Sequence, residues 1–461
     1  MKNLNYIKLI VLHIVIGILI YVLPVLSKVY LIAIFVYFVN AIFKAKPSQK
    51  VLQVLIACAY TVGSEVFLRM TGGSFLYETS KYLVIVFCLI GMFNVKSYKQ
   101  PIPYILYVFL LIPGILVAGF NITEETTIRT AIAFNLSGPV CLGVVAIFFY
   151  KRKIAYQDFH KMFFVMALPL IANTTYLFLF TPDIRDVITG TGSNFATSGG
   201  FGPNQVSTVL GLGMFVFTIR FFMLSPSLFL KIINGVLLAV VSYRGIVTFS
   251  RGGIITALFM IIAFIYFYFK KVNIKSKFRI SRMLFVFIAL GLLIWSFSSL
   301  QTSGFIEKRY ANQDALGRAK EDISTGRSNL ISFELDEFFK NPILGVGVGK
   351  IKELRLKNKG VLAASHNEMS RILSEHGLFG MMALLILLLT PLIFRIQNKS
   401  NVFFYSCYFF WFLTINHSSM RIAAPAFLYG LCLLDVKYAI HNTRILDKKN
   451  QSRAKHKTST N

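Results

Sequence analysis

Long apolar runs constrain this chain more than any other feature of its sequence. A helix needs about 20 apolar residues to cross the roughly 30 Å core of a bilayer. Candidate spans of about that length lie near 7–26, 28–43, 51–69, 82–95, 103–120, 130–150, 162–180, 205–222, 230–247, 253–269, 283–300, 377–394, 402–416 and 422–439. The chain is 56% hydrophobic and only 15% charged, which is too apolar for a water-facing surface. The sequence therefore predicts an all-α polytopic membrane protein with 12–14 transmembrane helices, and not an outer-membrane barrel of short alternating strands.

The net charge of +29 is divided unevenly between two alternating sets of connecting segments. One set holds 28 Lys and Arg and three Asp, whereas the other holds 20 Lys and Arg and 16 acids. The first set comprises the N-terminus, 44–50, 96–99, 151–153, 270–282, 395–399 and the tail from 437, together with Lys161, Arg220 and Lys231. The positive-inside rule places this set, with both termini, on the cytoplasmic side of the membrane. Topology thus accounts for the charge, and we expect no nucleic-acid partner.

The first apolar run is not followed by a small-residue cleavage site, so we expect it to be retained as a helix. We divide the chain into N-terminal helices (1–200), helices that carry candidate site arginines (201–300), an extracytoplasmic loop (301–376), C-terminal helices (377–440) and a basic cytoplasmic tail (441–461).

One connection, residues 301–376, is much longer than a turn of the chain requires. Its apolar spacing predicts a helix over 329–340 that ends at Asn341-Pro342, and a second helix from His366 that runs into the next span. Residues 181–204 form the other sizeable loop on this side and are rich in Gly, Ser and Thr, which is typical of a flexible segment. The longer loop predicts a small lobe outside the membrane.

Four arginines lie at the outer ends of spans or in the outer loops: Arg244, Arg251, Arg327 and Arg421. Ionisable groups there cost free energy unless they face water or a partner. Guanidinium groups clustered at a membrane surface suit a phosphate or diphosphate, which they hold bidentately. The alternative is that each arginine only anchors its helix at the headgroup level. Arg244 and Arg251 would share a helical face if one helix continued through both, and Gly252-Gly253 would let another backbone approach closely.

His366, at the end of the long loop, is the candidate for proton transfer because a histidine can be neutral at pH 7 and accept a proton. The alternative is a solvent-exposed loop histidine. Glu368 and Glu375 are the alternative bases, although either could cap or solvate a helix. His376 and His417 also lie on this side and are weaker candidates.

Three further features predict structure rather than chemistry. Gly345–Gly349 looks like part of a nucleotide-binding fingerprint, but it lacks a βαβ context and is better explained as a tight turn. Glu65 lies within a span, but one acid cannot form a proton pathway alone. The cysteines have no metal-site spacing or obvious disulfide framework, which indicates packing residues. They are Cys58, Cys88, Cys141, Cys407 and Cys432.

The order and spacing of several short motifs resemble those of the O-antigen ligase and polymerase superfamily. The motifs are Ser250–Gly253, Thr325–Arg327, Asn341–Gly347, His366-Asn367 and Glu375–Gly380, with Phe201–Asn204 before the eighth span. The resemblance covers roughly residues 200–395.

This resemblance implies a metal-independent membrane glycosyltransferase of the GT-C type, whose donor is a glycan on a polyprenyl diphosphate. By analogy, Arg251 and Arg327 would hold the diphosphate, and His366 would act as base or position the acceptor hydroxyl. Asn204 and Asn367 would contact substrate, with no cofactor or metal. Partners would be lipid-linked oligosaccharides, the bilayer, and flippase or chain-length regulator proteins.

Within this superfamily we expect a polymerase of O antigen or capsular polysaccharide, which transfers a growing glycan to the sugar of a lipid-linked repeat unit at the outer leaflet. The long N-terminal block of helices favours this reaction. One alternative is a ligase that transfers glycan to lipid A-core. A different class, a glycolipid flippase or transporter, is favoured by the number of helices alone, and it would need polar residues near the membrane midplane.

Overall fold

The computed structural model describes residues 3–96, 99–122, 128–320, 326–360 and 363–437, and these are almost entirely α-helical. The tail over 441–461 and Thr325 lie outside the described residues. The helices are α1 (Asn3–Val22), α2 (Leu26–Lys44), α3 (Lys50–Met70), α4 (Thr79–Asn94), α5 (Ile102–Leu110), α6 (Ile112–Asn121), α7 (Ile128–Phe149), α8 (Tyr156–Phe180), α9 (Pro203–Met223), α10 (Leu228–Ile246), α11 (Arg251–Lys271), α12 (Ile274–Gln301), α13 (Phe305–Tyr310), α14 (Arg327–Lys340), α15 (Lys350–Lys359), α16 (Glu368–Gln397), α17 (Phe404–His417) and α18 (Ala424–Cys432).

Eleven helices among the described residues are long and apolar enough to cross a membrane, with α5 and α6 counted as one. The three other predicted spans, 82–95, 402–416 and 422–439, overlap the shorter helices α4, α17 and α18, of which α18 covers only half of its predicted span. The prediction of an all-α polytopic membrane protein is therefore confirmed. Nearly all of α9 is buried, so it lies at the centre of the bundle. In contrast, α12 exposes most of its apolar side chains, as expected of a helix that faces lipid.

Glycine allows α11 to pack directly against α9, as the Gly252-Gly253 pair predicts. A Cβ atom on Gly253 would lie 2.3 Å from the carbonyl carbon of Ser207 in α9. A Cβ atom on Gly211 would lie 2.5 Å from the carbonyl oxygen of Gly253. Close backbone approach at small residues is a common way for membrane helices to associate, because lipid supplies no hydrophobic driving force between them.

The spans end at two faces, which we name by their contents. The loop face is formed by the N-termini of α9, α11 and α16, by the C-terminus of α3, and by residues 181–202, 302–320, 326–360 and 363–367. The basic face lies opposite and is formed by the N-termini of α8, α10 and α12 and by the C-terminus of α9. At the basic face β1 (Lys153–Ala155) pairs in parallel with β2 (Asp435–Lys437), Lys153 opposite Asp435, which ties α8 to the end of the bundle.

The long loop contains α13, α14 and α15, and its returning segment packs onto a kink in α16. The predicted helix over 329–340 is α14, which begins at Arg327 and ends before Asn341-Pro342 as expected. The second predicted helix is the start of α16, which changes direction at Gly377 (φ 58°, ψ −135°). The backbone N–H of Leu378 donates to the Pro342 carbonyl (2.8 Å), and that of Gly347 donates to the Glu375 carbonyl (3.1 Å). Gly345, Gly347 and Gly349 all have positive φ, so this segment is a tight turn, as the sequence predicts.

Candidate active site at the loop face

Arg251 is the first residue of α11, and the chain reaches it through a left-handed turn. Helix α10 ends at Ile246, and Phe249 then has a φ of 58°, which is uncommon for a residue with a side chain. The Ser250 hydroxyl donates to Oδ1 of Asn204 (2.8 Å), and its carbonyl accepts from the Ser207 hydroxyl (2.8 Å). These bonds fix the start of α11 against the start of α9, so Asn204 and Arg251 belong to one region of the structure.

Arg244 does not join Arg251 on a continuous helix, because the turn at Phe249 separates them. Its guanidinium group is 1% exposed and donates to the carbonyls of Thr181 (3.3 Å) and Thr197 (3.1 Å). The guanidinium carbon also lies 5.1 Å from the ring centre of Phe178. Arg244 thus holds the ends of the 181–204 loop, and the structure does not place it among the residues that line the cavities around His366.

Arg309 of α13 lies beside Arg251, although the sequence analysis did not single it out. Its Nε donates to the Phe249 carbonyl (3.0 Å), and its own carbonyl accepts from Arg251 (3.4 Å). Burial, followed by the charges of Arg251 and Arg327, lowers the pKa of Arg309. In sequence it is one residue of Lys308-Arg309 in a polar loop, where a solvent-exposed charge is the ordinary expectation. Its position beside Arg251 becomes evident only from its hydrogen bond to the Phe249 carbonyl in the structure.

Arg327 begins α14 and is half-buried. Burial is the main cause that lowers its pKa, and the charges of Arg251 and Arg421 lower it further. Arg251 and Arg421, two of the other arginines predicted from the sequence, therefore lie close enough to Arg327 to act on it electrostatically. With Arg309 they form what we call the arginine cluster: Arg251, Arg309, Arg327 and Arg421.

Arg421 is held in the turn between α17 and α18 by contacts on both sides. Its Nη2 donates to the Ser365 carbonyl (2.8 Å), while its own carbonyl accepts from Nη1 of Arg69 (3.0 Å). Arg69 forms a buried ion pair with Glu65 (2.5 Å), and the second oxygen of Glu65 accepts from the Ala423 backbone N–H (2.6 Å). Glu65 therefore anchors the Arg421 turn to α3.

His366 lines two cavities together with some of the other predicted site residues, although Arg251 lines neither. The larger, of about 230 Å³, is lined by His366, Arg421 and Asn204, and the smaller by His366, Arg327 and Asn367. The buried Nδ1 of His366 has no hydrogen-bond partner among the described residues. Burial, then the charges of Arg421 and Arg327, lowers the pKa of His366 to about 4. The imidazole is therefore neutral at pH 7 and can accept a proton.

The position of His366 is fixed by a buried acid beside it. The Glu334 carboxylate accepts from Arg355 (2.6 Å) and from the hydroxyls of Ser365 (2.5 Å) and Ser370 (2.5 Å). Glu334 is fully buried on α14, while the two serines flank His366 in the chain. This network ties α14 and α15 to the residues around His366.

The other predicted polar residues of this segment have structural partners. The Asn367 side chain caps α16 by accepting from the backbone N–H groups of Met369 (2.9 Å) and Ser370 (3.1 Å), and it donates to Asn416 (3.0 Å). Glu368 and Glu375 are both buried and both pair with Arg371.

Two weaker candidates, His376 and His417, pack against glycines. A Cβ atom on Gly252 would lie 2.4 Å from Cδ2 of His417, and one on Gly114 would lie 2.2 Å from Nδ1 of His376. Nε2 of His417 lies 3.4 Å from the Thr208 hydroxyl, at the edge of the cluster. His376 is buried away from the cavities that His366 lines.

In a comparison with protein families, residues 235–385 match the model described as O-antigen ligase. The matched segment includes Arg251, Arg309, Arg327 and His366, whereas Asn204 and Arg421 lie outside it. No curated protein matches the chain. Over this segment, about a third of the chain, the protein is similar to the O-antigen ligase family, and its apolar helices are those of a multi-pass membrane protein.

Proposed function

We propose that this protein transfers a glycan from a polyprenyl diphosphate to the hydroxyl of an acceptor sugar. The observation that carries this proposal is the convergence of the arginine cluster and His366 at one face of the membrane helices. The largest charge effects on His366 all come from positive groups, Arg421, Arg327 and Arg355. A site of this charge at a membrane surface suits an anionic lipid headgroup.

The arginines would stabilise the leaving group. When the bond between the sugar and the diphosphate breaks, negative charge grows on the leaving oxygen, and fixed guanidinium groups lower the free energy of that transition state. Arginine also stays protonated in this positive environment, where a lysine would lose charge more readily. We therefore propose that the reaction needs no metal ion, because the arginine cluster supplies the positive charge.

His366 would take the proton from the acceptor hydroxyl. Its unpartnered Nδ1 and its neutral state meet the first requirements of a general base. The cavity of about 230 Å³ beside it is below the roughly 300 Å³ of a small ligand pocket, so we expect it to hold a single sugar ring or phosphate group. Asn204 lines the same cavity and would contact that group.

Among the reactions of the superfamily we propose the polymerase, acting at the outer leaflet of a bacterial plasma membrane with both termini in the cytoplasm. The acceptor would then be a second lipid-linked repeat unit, and the product would be O antigen or capsular polysaccharide. A flippase that delivers the units and a regulator of chain length would be natural partners.

The ligase reaction is the second candidate, because the matched family model carries that description. The two reactions share the donor and differ only in the acceptor. Purified protein given a radiolabelled lipid-linked oligosaccharide should form longer lipid-linked products without added lipid A-core if it is a polymerase. Transfer only after lipid A-core is added would assign the ligase reaction instead.

A transporter is less well supported. Its substrate would need polar groups near the membrane midplane, whereas Arg251, Arg327 and Arg421 all lie at the loop-face ends of helices or in loops.

The donor site can be tested with Arg251→Ala/Arg327→Ala in the same assay. We expect loss of transfer on the order of a hundredfold or more, since removal of one preorganised donor to a developing anion costs about that much. Arg318→Ala is a matched control, because Arg318 lies in the same loop with a side chain 74% exposed and paired with Asp314. Wild-type transfer by the double variant would reduce these arginines to helix anchors.

A further inference from the structure

A much larger cavity than those beside His366 lies at the basic face, on the opposite side of the bundle. It has a volume of about 860 Å³, which is in the upper range for ligand sites. The ends of α1, α8, α9, α10, α11 and α12 surround it. None of the residues proposed for glycan transfer lines it, so the proposed function leaves this cavity unexplained.

The lining of this cavity is strongly basic. Five of its side chains are basic or imidazole groups, namely His160, Lys161, Arg220, Lys231 and Arg279. Among the described residues that line it, none is Asp or Glu. The nearest acid in sequence, Asp158, pairs with Lys161 (2.7 Å), whose side chain is 54% exposed. Cationic groups gathered without a carboxylate favour an anionic ligand.

Arg220 is held in place before any ligand binds. Its Nε donates to the hydroxyl of Tyr6 (3.1 Å), and its guanidinium carbon lies 4.1 Å from the centre of the Tyr6 ring and 4.7 Å from that of Phe164. The Tyr6 hydroxyl in turn donates to Asn234. No acceptor for the terminal nitrogens of Arg220 is found in the part of the chain that the structure describes. A guanidinium that is positioned through Nε and stacked on two rings keeps its paired N–H groups for a planar anion such as a phosphate.

Beside its basic groups and the polar Gln157, Ser225 and Ser276, the lining has an apolar part that continues onto the membrane-facing surface. Phe222, Leu230 and Met283 line the cavity. Beside it, Leu228 is 73% exposed and Phe278 is 73% exposed, as expected of side chains in contact with lipid tails. A soluble anion would not need this apolar surface, whereas the acyl chains of a lipid would.

We propose that this cavity binds the phosphate headgroup of an anionic phospholipid in the leaflet at the basic face. Arg220 would hold the phosphate, Lys231 and Arg279 would flank it, and the acyl chains would lie along α10 and α12. Basic pockets between membrane helices recognise such lipids by the same combination of charge and apolar surface. The proposal does not depend on glycan transfer, since it uses other residues at the other face.

Native mass spectrometry can test this site. The full-length protein is placed in nanodiscs of phosphatidylglycerol and phosphatidylcholine and released in the spectrometer, and the lipids that it retains are measured. We expect the wild type to retain phosphatidylglycerol and Arg220→Gln/Arg279→Gln to retain it about tenfold less, because each basic group near a membrane surface contributes to anionic-lipid binding. Lys275→Gln/Lys399→Gln is the matched control, since both lysines are exposed at the basic face and neither lines the cavity. If Arg220→Gln proves unstable, Lys231→Gln/Arg279→Gln changes the flanking charges only and should also lower retention.

Three results would overturn the proposal. The first is equal phosphatidylglycerol retention by the cavity variants and the control. The second is equal retention of phosphatidylcholine and phosphatidylglycerol by the wild type, because charge would then play no part. The third is displacement of phosphatidylglycerol by inorganic phosphate alone, which would assign a soluble phosphate site.

Discussion

At the scale of single residues, the electrostatic setting of His366 predicts an unusual pH dependence. Burial and the neighbouring arginines lower the pKa of His366 from 6.5 to about 4, so the neutral base is present above that pH and is lost as the pH falls through it. We therefore expect the acidic limb of kcat/KM to lie near pH 4. A bound diphosphate would offset the arginine charges and raise the pKa of His366, which moves the limb of kcat to higher pH.

Initial rates between pH 3.5 and 8 at low and saturating donor would separate these two limbs. His366→Ala should reduce turnover about 10²–10⁴-fold and remove the limb, while donor binding, supplied by the arginines, should survive. A limb that persists unchanged in His366→Ala would belong to another group, Glu368 or Glu375 being the next candidates.

We expect that positive charge alone is not enough for the arginine cluster to bind the diphosphate, and that the shape of the guanidinium group is also needed. Arg251→Lys and Arg327→Lys keep the positive charge but cannot form a two-pronged hydrogen bond to a phosphate. We expect each to lower kcat/KM by about tenfold to a hundredfold, the loss of one charge-assisted hydrogen bond. Arg309→Lys should behave in the same way if Arg309 is part of the site. Arg318→Lys should leave the rate unchanged, and equal activity of all four variants would contradict bidentate binding.

Some residues of the candidate site could be predicted from the sequence and others could not, for a physical reason. Arg251, Arg327 and His366 stand in short local motifs, so the linear pattern was enough to select them. Arg309 is positioned by the carbonyl of Phe249, 60 residues away in the chain, and no local pattern encodes that contact. Arg244 stands in an equally suggestive place, yet its guanidinium group is occupied by the carbonyls of Thr181 and Thr197.

At the scale of helices, the close contact between α9 and α11 sets the distance between Asn204 and Arg251. Gly253→Ala would place a methyl group 2.3 Å from the Ser207 carbonyl carbon. Because backbone cannot move as a side chain can, we expect a loss of stability of about 1–3 kcal/mol and a lower melting temperature in detergent. Gly291→Ala is the control, since a Cβ atom there meets nothing within 4 Å. Equal melting temperatures would show that the two helices separate without cost.

Apolar periodicity was sufficient to predict most helices, and it failed where tertiary contacts set their ends. The predicted span 422–439 is only α18 (Ala424–Cys432), because the chain then leaves the helix and forms β2 against β1. That pairing joins residues 282 positions apart, so no local sequence pattern predicts it. The kink of α16 at Gly377 was likewise hidden, since it depends on the Pro342 carbonyl that receives the Leu378 N–H.

At the scale of the whole molecule, the two faces have different chemistry. The loop face brings the arginine cluster and His366 together with buried acids such as Glu65 and Glu334 that hold the loops. The basic face carries cations without acids in its large cavity. The uneven charge of the connecting segments leads us to expect the basic face on the cytoplasmic side.

That assignment predicts which side of the membrane each cysteine label reaches. All five native cysteines are buried, so they should give little background with a membrane-impermeant maleimide. Lys357 is exposed on α15 at the loop face, and Lys275 is exposed on α12 at the basic face. In intact cells we expect Lys357→Cys to be labelled and Lys275→Cys to be labelled only after the membrane is opened. The reverse pattern would place the arginine cluster and His366 in the cytoplasm, where an outer-leaflet donor could not reach them.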